Sequence, residues 1–164
     1  MTSRSTRRVS MLVAIALLTT VALLVKTAAE RWLATPVDAG PLQLRLLDNP
    51  GVSFGLGATL PPWLVAALTG AVTAAVLAYA WATGWRQPAA GRWALTMITA
   101  GAAANVVDRL PDGVVTDYLH TGWFPTFNLP DALITAGAAL LAITIGRQGT
   151  AGWTPATPKE RTTR

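Results

Sequence analysis

A stretch without any charged residue, Trp63–Thr83, constrains this chain more than any other feature. A helix of about 20 mainly apolar residues is long enough to cross the hydrocarbon core of a bilayer. Trp63, Trp81 and Trp85 lie near the ends of the stretch, where aromatic side chains favour the membrane–water interface. The sequence therefore predicts a membrane-spanning helix at this position.

The composition supports a membrane protein. Of the 164 residues, 52% are hydrophobic and 13% are charged, whereas about 25% are charged in an ordinary soluble domain. So few charges exclude a disordered chain, a coiled coil and a nucleic-acid-binding module with a basic groove. The chain has no cysteine and one histidine, His120, which excludes disulfides, thiol catalysis and metal sites rich in Cys or His.

Three further segments are predicted to span the membrane. Val9–Val25 is uncharged and is followed by Lys26, which can extend its amine to the interface. The alternative is a signal peptide cleaved after residues 27–29, and Lys26 before that site argues against cleavage. The segments Arg92–Asp108 and Asp131–Arg147 are short, and each spans if its aspartate lies just inside the membrane edge. The four predicted spans are 9–29, 63–83, 91–109 and 129–146.

The basic residues predict the orientation of these spans. With four spans, most of the 13 Lys and Arg fall on one side of the membrane, and the aspartates gather on the other side. The positive-inside rule then places both termini in the cytoplasm. We therefore expect an all-α membrane protein with four transmembrane helices in a single domain, residues 1–147. The Thr-, Pro- and Gly-rich residues 148–164 are expected to form a disordered cytoplasmic tail.

The outer loop between the first two helices carries two local patterns. Leucines alternate with polar residues over Leu42–Leu46, which predicts a small β-containing element at the membrane surface. Gly51–Gly55 matches the G-x-S-x-G pattern of serine hydrolases, and an Asp and His120 follow it in the order of that family. That pattern requires a large α/β sheet, for which the chain has no room, so Ser53 is not expected to be a nucleophile.

Asp117 and Asp131, at the outer edge of the membrane, are the candidates for chemistry. Asp131 lies three residues after Asn128, a good helix N-cap, with Pro130 between them, and a helix N-terminus favours a negative charge. Two carboxylates close together share one proton, so that one acts as a base on water and the other as an acid. The alternative is structural, with Asp131 only capping a helix and Asp117 solvated in a loop.

Asn105, Asp108 and Arg109 have the spacing of one helix face at the end of the third span. Polar groups on a short membrane helix usually face the interior of the protein. The alternative is that they only anchor the helix at the interface.

Four motifs follow one another along the chain: Asn49-x-Gly51-x-Ser53-Phe54, Gly101-x-x-x-Asn105-x-x-Asp108-Arg109, Gly113-x-Val115-x-Asp117-Tyr118 and Phe127-Asn128-x-x-Asp131-x-x-Ile134. In this order they resemble the signature of lipoprotein signal peptidase (signal peptidase II), and the resemblance covers residues 9–146. Each motif is modest alone, but the four together in a small membrane protein are specific.

The resemblance implies an aspartyl endopeptidase of the cell membrane, with its active site at the outer face. It implies cleavage of a diacylglyceryl-modified prolipoprotein just before the lipidated cysteine, with Asp117 and Asp131 as the catalytic pair. Neither a metal nor another cofactor is expected. The expected partners are this substrate and membrane lipid, and no nucleic acid is expected to bind. The protein is expected to be a monomer. The residues expected to support the site or to contact the substrate are Asn49, Gly51, Phe54, Asn105, Asp108, Arg109, Asn128 and Lys26.

Three positions depart from the family pattern. Ala22 replaces an aspartate four residues before Lys26, Pro130 replaces an alanine, and Ala132 replaces a small polar residue. Because of these changes, a catalytically weak or silent homologue that binds lipoproteins or signal peptides is the alternative function. A small proton-coupled transporter is the second alternative, although it predicts carboxylates near the middle of the bilayer.

Overall fold

The protein, seen in a computed structural model that describes residues 3–52, 56–57 and 59–151, contains four long helices and a small sheet. The sheet is formed by the connections that follow the first and third helices. Each predicted span falls within one of the helices. The elements are α1 (Arg4–Trp32), β1 (Val37–Ala39), β2 (Leu42–Asn49), α2 (Pro62–Thr83), a 3₁₀ turn (Gly84–Arg86), α3 (Ala89–Arg109), β3 (Val115–His120) and α4 (Leu129–Ala151).

Helix α3 lies at the centre of the bundle and contacts each of the other three helices. Its buried residues are mostly small, including Ala94, Ala100 and Ala104. A Cβ atom on Gly101 would lie 2.9 Å from Cγ1 of Ile134 and would also collide with the carbonyl oxygen of Pro130. Glycine is therefore needed at this position for α3 and α4 to pack closely.

Three segments are long and apolar enough to cross a membrane: Arg4–Trp32, Pro62–Arg86 and Leu129–Gln148. They make the chain a multi-pass membrane protein. The prediction of four spans thus holds for three helices, and for α3 it stays a prediction. Helix α3 is not among these three segments. It is enclosed by the other helices, so that its polar side chains, such as Thr96 and Thr99, are buried in protein.

The sheet has the order β1-β2-β3, and both pairings are antiparallel. The predicted β element between α1 and α2 is present, but the sheet also includes β3 from the connection between α3 and α4. The register of β2 against β3 shifts between Leu44 and Leu47. Beyond this shift Leu47 pairs with Asp117 and Asn49 pairs with Val115, which places Asn49 beside Asp117.

The C-terminal helix is longer than the sequence predicts. Helix α4 continues to Ala151, four residues into the segment expected to be a disordered tail. The next proline, Pro155, is still four residues away, so no residue up to Ala151 is incompatible with a helix. The rest of the predicted tail, residues 152–164, lies outside the described residues.

Candidate active site

The two candidate aspartates come from different elements and have different surroundings. Asp117 lies in the middle of β3, and only 1% of its surface is exposed. Asp131 lies in the first turn of α4, is partly exposed and lines a cavity. One carboxyl group is therefore enclosed by protein, while the other faces open space.

A series of hydrogen bonds connects the two aspartates. The side-chain amide of Asn128 donates to Oδ1 of Asp117 (2.8 Å) and to Oδ1 of Asn105 (3.3 Å). The amide of Asn105 in turn donates to Oδ1 of Asp131 (2.8 Å). Asn128 is itself 1% exposed, so this connection is mostly shielded from water.

Asn128 also caps α4, as the sequence predicts. Its Oδ1 accepts a hydrogen bond from the backbone N–H of Asp131 (2.8 Å), and Oδ2 of Asp131 accepts one from the N–H of Asn128 (3.4 Å). This reciprocal arrangement is a capping box. Tyr118, named from the sequence only as part of a motif and not as a site residue, accepts the N–H of Leu129 at its hydroxyl (3.1 Å) and so joins β3 to the start of α4.

The turn after β2 is held by Asn49 and Arg109. Oδ1 of Asn49 accepts the N–H of Gly51 (3.1 Å), and Nδ2 of Asn49 donates to Oδ2 of Asp117 (3.0 Å). Arg109, at the end of α3 and 3% exposed, donates from Nη2 to the carbonyl oxygen of Gly51. The predicted contact residue Phe54 lies outside the described residues, and so does Ser53.

Lys26 and Asp108 lie behind β3 and contact neither aspartate of the pair directly. Nζ of Lys26 lies 2.9 Å from Oδ1 of Asp108 and 2.7 Å from Oε1 of Glu30. Oδ2 of Asp108 accepts the N–H of Thr116 (2.9 Å), and Oε1 of Glu30 accepts the hydroxyl of Thr116 (3.2 Å). Lys26, Glu30 and Asp108 together fix Thr116, the residue that precedes Asp117. Glu30 is not among the site residues predicted from the sequence, although its i,i+4 spacing from Lys26 favours an ion pair.

The departures from the family pattern leave these contacts in place. Ala22 is completely buried, and Lys26 finds its carboxylate partners in Glu30 and Asp108 instead of at position 22. Pro130 lies in the first turn of α4, where a backbone N–H has no partner within the helix. Ala132 donates its N–H to the carbonyl oxygen of Asn128 (3.2 Å) and continues the helix.

The electrostatics of the site favour a protonated Asp117. The pKa of Asp117 is raised to about 7, with burial as the largest cause and the charges of the nearby Asp131 and Asp108 acting in the same direction. The hydrogen bonds from Asn49 and Asn128 act in the opposite direction, because they stabilise the carboxylate. Near neutral pH, Asp117 is therefore divided between its acid and carboxylate forms.

A cavity of about 500 Å³ leads from this site along α2. Its polar end is formed by Asp131, Asn105 and Arg109, and much of its remaining wall is apolar. Thr69 and Thr73 also line it, but their hydroxyls donate to the carbonyl oxygens of Val65 and Thr69 in their own helix. The apolar lining residues include Val52, Leu56, Leu60, Val65, Leu68, Val72 and Ile134.

His120 lies apart from the two aspartates. Its Nδ1 is 3.1 Å from Nη2 of Arg45 and 3.1 Å from Oγ1 of Thr126. Within residues 3–52, 56–57 and 59–151, no three His, Cys, Asp or Glu side chains form a group that could hold a metal ion.

Comparisons with known proteins agree with this picture. The family described as signal peptidase (SPase) II matches residues 7–147. A lipoprotein signal peptidase of Syntrophomonas wolfei is 36% identical over 110 residues, covering 65% of this chain and 69% of that protein. One of Brucella ovis is 38% identical over 106 residues, covering 62% and 66%. The alignments thus span about two thirds of each relative.

The fold also matches solved structures. Two structures described as a bacterial membrane enzyme by the in meso method align with TM-scores of 0.76 and 0.69. The first covers 91% of this chain and 94% of its own at 18% identity. The second covers 83% and 92% at 20% identity. At these identities the likeness shows the fold alone.

Proposed function

The chain belongs to the signal peptidase II family, and we propose that it cuts diacylglyceryl-modified prolipoproteins just before the lipidated cysteine, using Asp117 and Asp131. The names of its relatives, lipoprotein signal peptidases, support the class of substrate. The observation that carries the proposal is the hydrogen-bonded connection from Asp117 through Asn128 and Asn105 to Asp131. It joins one enclosed carboxyl group to one that faces a cavity.

In the proposed mechanism, the two carboxyl groups have different roles. Asp131, which faces the cavity, takes a proton from a water molecule, and the water oxygen attacks the scissile carbonyl carbon. Asp117, in its protonated form, donates a hydrogen bond and then its proton to the carbonyl oxygen. Asp131 returns its proton to the leaving nitrogen as the C–N bond breaks, and one hydroxyl of the tetrahedral intermediate gives its proton back to Asp117 as the new carboxyl group forms, so both aspartates regain their starting states. A pKa of about 7 supports the role of Asp117 as the acid.

The neighbouring polar residues hold this pair in position. Asn49 and Asn128 bind the two oxygens of Asp117, and Asn105 binds Asp131. Arg109 fixes the turn at Gly51, which borders the same cavity. Such fixed dipoles lower the barrier because they need not reorganise during the reaction.

The apolar wall along α2 supports a membrane-embedded substrate. A signal peptide is apolar in its centre, and the cavity presents Leu68 and Val72 on the way to Asp131. The substrate therefore enters from the membrane along α2, with its scissile bond at the polar end.

The proposed topology has four spans, with both termini in the cytoplasm and the sheet at the outer face of the cell membrane. Helix α3 is the third span, shielded by α1, α2 and α4. We also propose that the protein acts as a monomer.

The proposal is tested with the purified full-length protein and a diacylated prolipoprotein, the released peptide being identified by mass spectrometry. The expected product ends at the residue before the lipidated cysteine. The control is the same precursor without lipid, which is expected to react at least ~100-fold more slowly, since binding of a remote group can accelerate the reaction. A cut at another bond, or equal rates for both precursors, would contradict the proposal. Absence of any cleavage would favour the silent homologue.

A further inference from the structure

Thr116, the residue before Asp117 in β3, is held by groups from three other elements. It pairs with Asp48 of β2, and its N–H donates to Oδ2 of Asp108 in α3 (2.9 Å). Its hydroxyl donates to Oε1 of Glu30 in α1 (3.2 Å). Thr116 is 7% exposed, so these contacts are mostly shielded from water. The strand that carries Asp117 is thereby connected to α1 and α3 at one residue.

The side chains of Thr116 and Asp117 point to opposite faces of the sheet, as successive side chains of a strand do. Asp117 points towards Asn49 and Asn128, which donate to its two oxygens at 3.0 Å and 2.8 Å. Thr116 points towards Glu30, which therefore holds the strand from the side opposite to Asp117. A movement of Thr116 towards or away from α1 moves the Asp117 carboxyl group relative to its two hydrogen-bond donors.

Lys26 fixes the position of the Glu30 carboxylate. Its Nζ lies 2.7 Å from Oε1 of Glu30, one turn further along α1, and 2.9 Å from Oδ1 of Asp108. One ammonium group thus joins the two carboxylates that hold Thr116. Position 22, one turn before Lys26, is the completely buried Ala22 and supplies no carboxylate. On α1, the acid one turn after Lys26 therefore provides this contact.

The exposure of Glu30 separates a role in positioning from a role in stability. Its side chain is 39% exposed, compared with 6% for that of Asp108. Ion pairs between exposed side chains of one helix add little to stability, because water already solvates both charges. Loss of the Glu30 carboxylate is therefore expected to change the stability of the fold very little, although it removes a hydrogen bond to the strand that carries Asp117.

We propose that Glu30 is a positioning residue that acts through Thr116 to hold the Asp117 carboxyl group in its reactive place. This inference rests on the proposed function, since it assigns a role in the same reaction. A displacement of about 1 Å in a site can reduce the rate about 100-fold. Loss of the contact therefore lowers kcat. KM stays unchanged, because neither Glu30 nor Thr116 lines the cavity beside Asp131.

The test measures kcat and KM for signal-peptide release from a diacylated prolipoprotein by full-length Glu30→Ala, Thr116→Val and the variant with both changes. Each single change is expected to lower kcat about 10- to 100-fold at unchanged KM. The double variant is expected to lose no more than the worse single variant, because both changes remove one shared contact. Glu30→Gln keeps an oxygen acceptor at the same place and is expected to retain most of the rate.

The matched control is Arg31→Ala, which removes a charged side chain at the neighbouring position of α1 and is expected to keep the normal rate. Thermal unfolding of every variant shows the temperatures at which the rates can be compared.

Four results would overturn this inference and leave the proposed function intact. They are a normal kcat in Glu30→Ala, a loss in the double variant that equals the product of the two single losses, an equal loss in Glu30→Gln and Glu30→Ala, and a Glu30→Ala protein that does not fold. An unmodified protein that releases no signal peptide would instead contradict the proposed function, and this inference with it.

Discussion

Asn128 does three things with one side chain. It donates to Asp117, caps the helix that carries Asp131, and hydrogen-bonds to Asn105. Its capping role could be predicted from the sequence, because the residue precedes a proline and an acidic residue in the first turn. Its contact with Asp117 could not, because that contact depends on how β3 lies against the start of α4.

The two roles of Asn128 can be separated by substitution. Asn128→Ala is expected to lose the cap, at about 1 kcal/mol of unfolding free energy, and also the contact with Asp117. Asn128→Ser keeps a good N-cap but has no amide to donate. We expect both variants to lose at least ~100-fold in processing rate, while only Asn128→Ala is clearly less stable in a denaturant titration. A fully active Asn128→Ser would show that the amide is unnecessary.

The pKa of Asp117 predicts how the reaction depends on pH. Since the acid form of Asp117 is required, the processing rate is expected to fall as the pH rises through about 7. Single-turnover rates with the diacylated prolipoprotein between about pH 5 and 9 measure this change. A rate that stays level across that range would contradict the proposed role of Asp117.

The free energy of unfolding is also expected to depend on the proton of Asp117. The folded state binds it more tightly than the unfolded state, in which an aspartate titrates near 4. The free energy of unfolding is therefore expected to fall as the pH rises from about 4 to 7. Asp117→Asn cannot titrate and is expected to remove most of this dependence in denaturant titrations. An unchanged dependence in that variant would mean that other groups cause it.

At the scale of the elements, close packing of α3 against α4 brings Asn105 to Asp131. A Cβ atom on Gly137 of α4 would lie 2.8 Å from Cγ1 of Ile98, and Gly101 of α3 meets α4 just as closely. The motif spacing predicted which residues share a face of α3. It could not predict the facing residues of α4, because interhelical contacts depend on packing between distant segments.

Gly101→Ala tests this packing. Its Cβ atom would push α4 away, so we expect a loss of about 1–3 kcal/mol in stability and a large loss of activity. Gly70→Ala in α2 is the matched control, since a Cβ atom there meets nothing within 4 Å and alanine favours a helix. Thermal unfolding and processing assays measure both effects. Equal stability and equal processing activity of the two variants would show that the close contact at Gly101 is unimportant.

The strand β2 could be predicted from the sequence, but its pairing in the sheet could not. The alternation over Leu42–Leu46 predicted a strand in the loop between α1 and α2, and β2 is there. Pairing of β2 with β3 joins segments far apart in the chain, and the register shift between Leu44 and Leu47 has no local signal. For this reason the contact between Asn49 and Asp117 could not be predicted from spacing.

At the scale of the whole molecule, the protein separates its charges along the bundle. Carboxyl groups gather around the sheet, whereas at the other end Arg4 and Arg86 stack on Trp85 and Arg8 stacks on Trp81. The low share of charged residues predicted the membrane location, and the distribution of charge predicted an orientation. Helix α3 is not among the three helices that are long and apolar enough to span by composition, and it carries Asn105, Asp108 and Arg109 of the site at its end.

The four-span topology can be tested by cysteine labelling, since the chain has no native cysteine. Single substitutions Thr35→Cys, Ala90→Cys and Asp112→Cys place thiols at exposed positions, two of them in connections and Ala90 in the first turn of α3. With four spans, a membrane-impermeant maleimide added to intact cells is expected to label positions 35 and 112 but not position 90. Labelling of position 35 without position 112 would show that α3 does not cross the membrane.

The pairing of Asp117 with Asp131 is tested most directly by replacing each aspartate with its neutral, equally large analogue. The measurement is the rate of signal-peptide release from a diacylated prolipoprotein by Asp117→Asn and Asp131→Asn, with Asp38→Asn in the exposed strand β1 as the control. The account predicts that each of the first two variants loses at least ~1000-fold and that the control retains the normal rate. A normal rate in either Asp117→Asn or Asp131→Asn would contradict it.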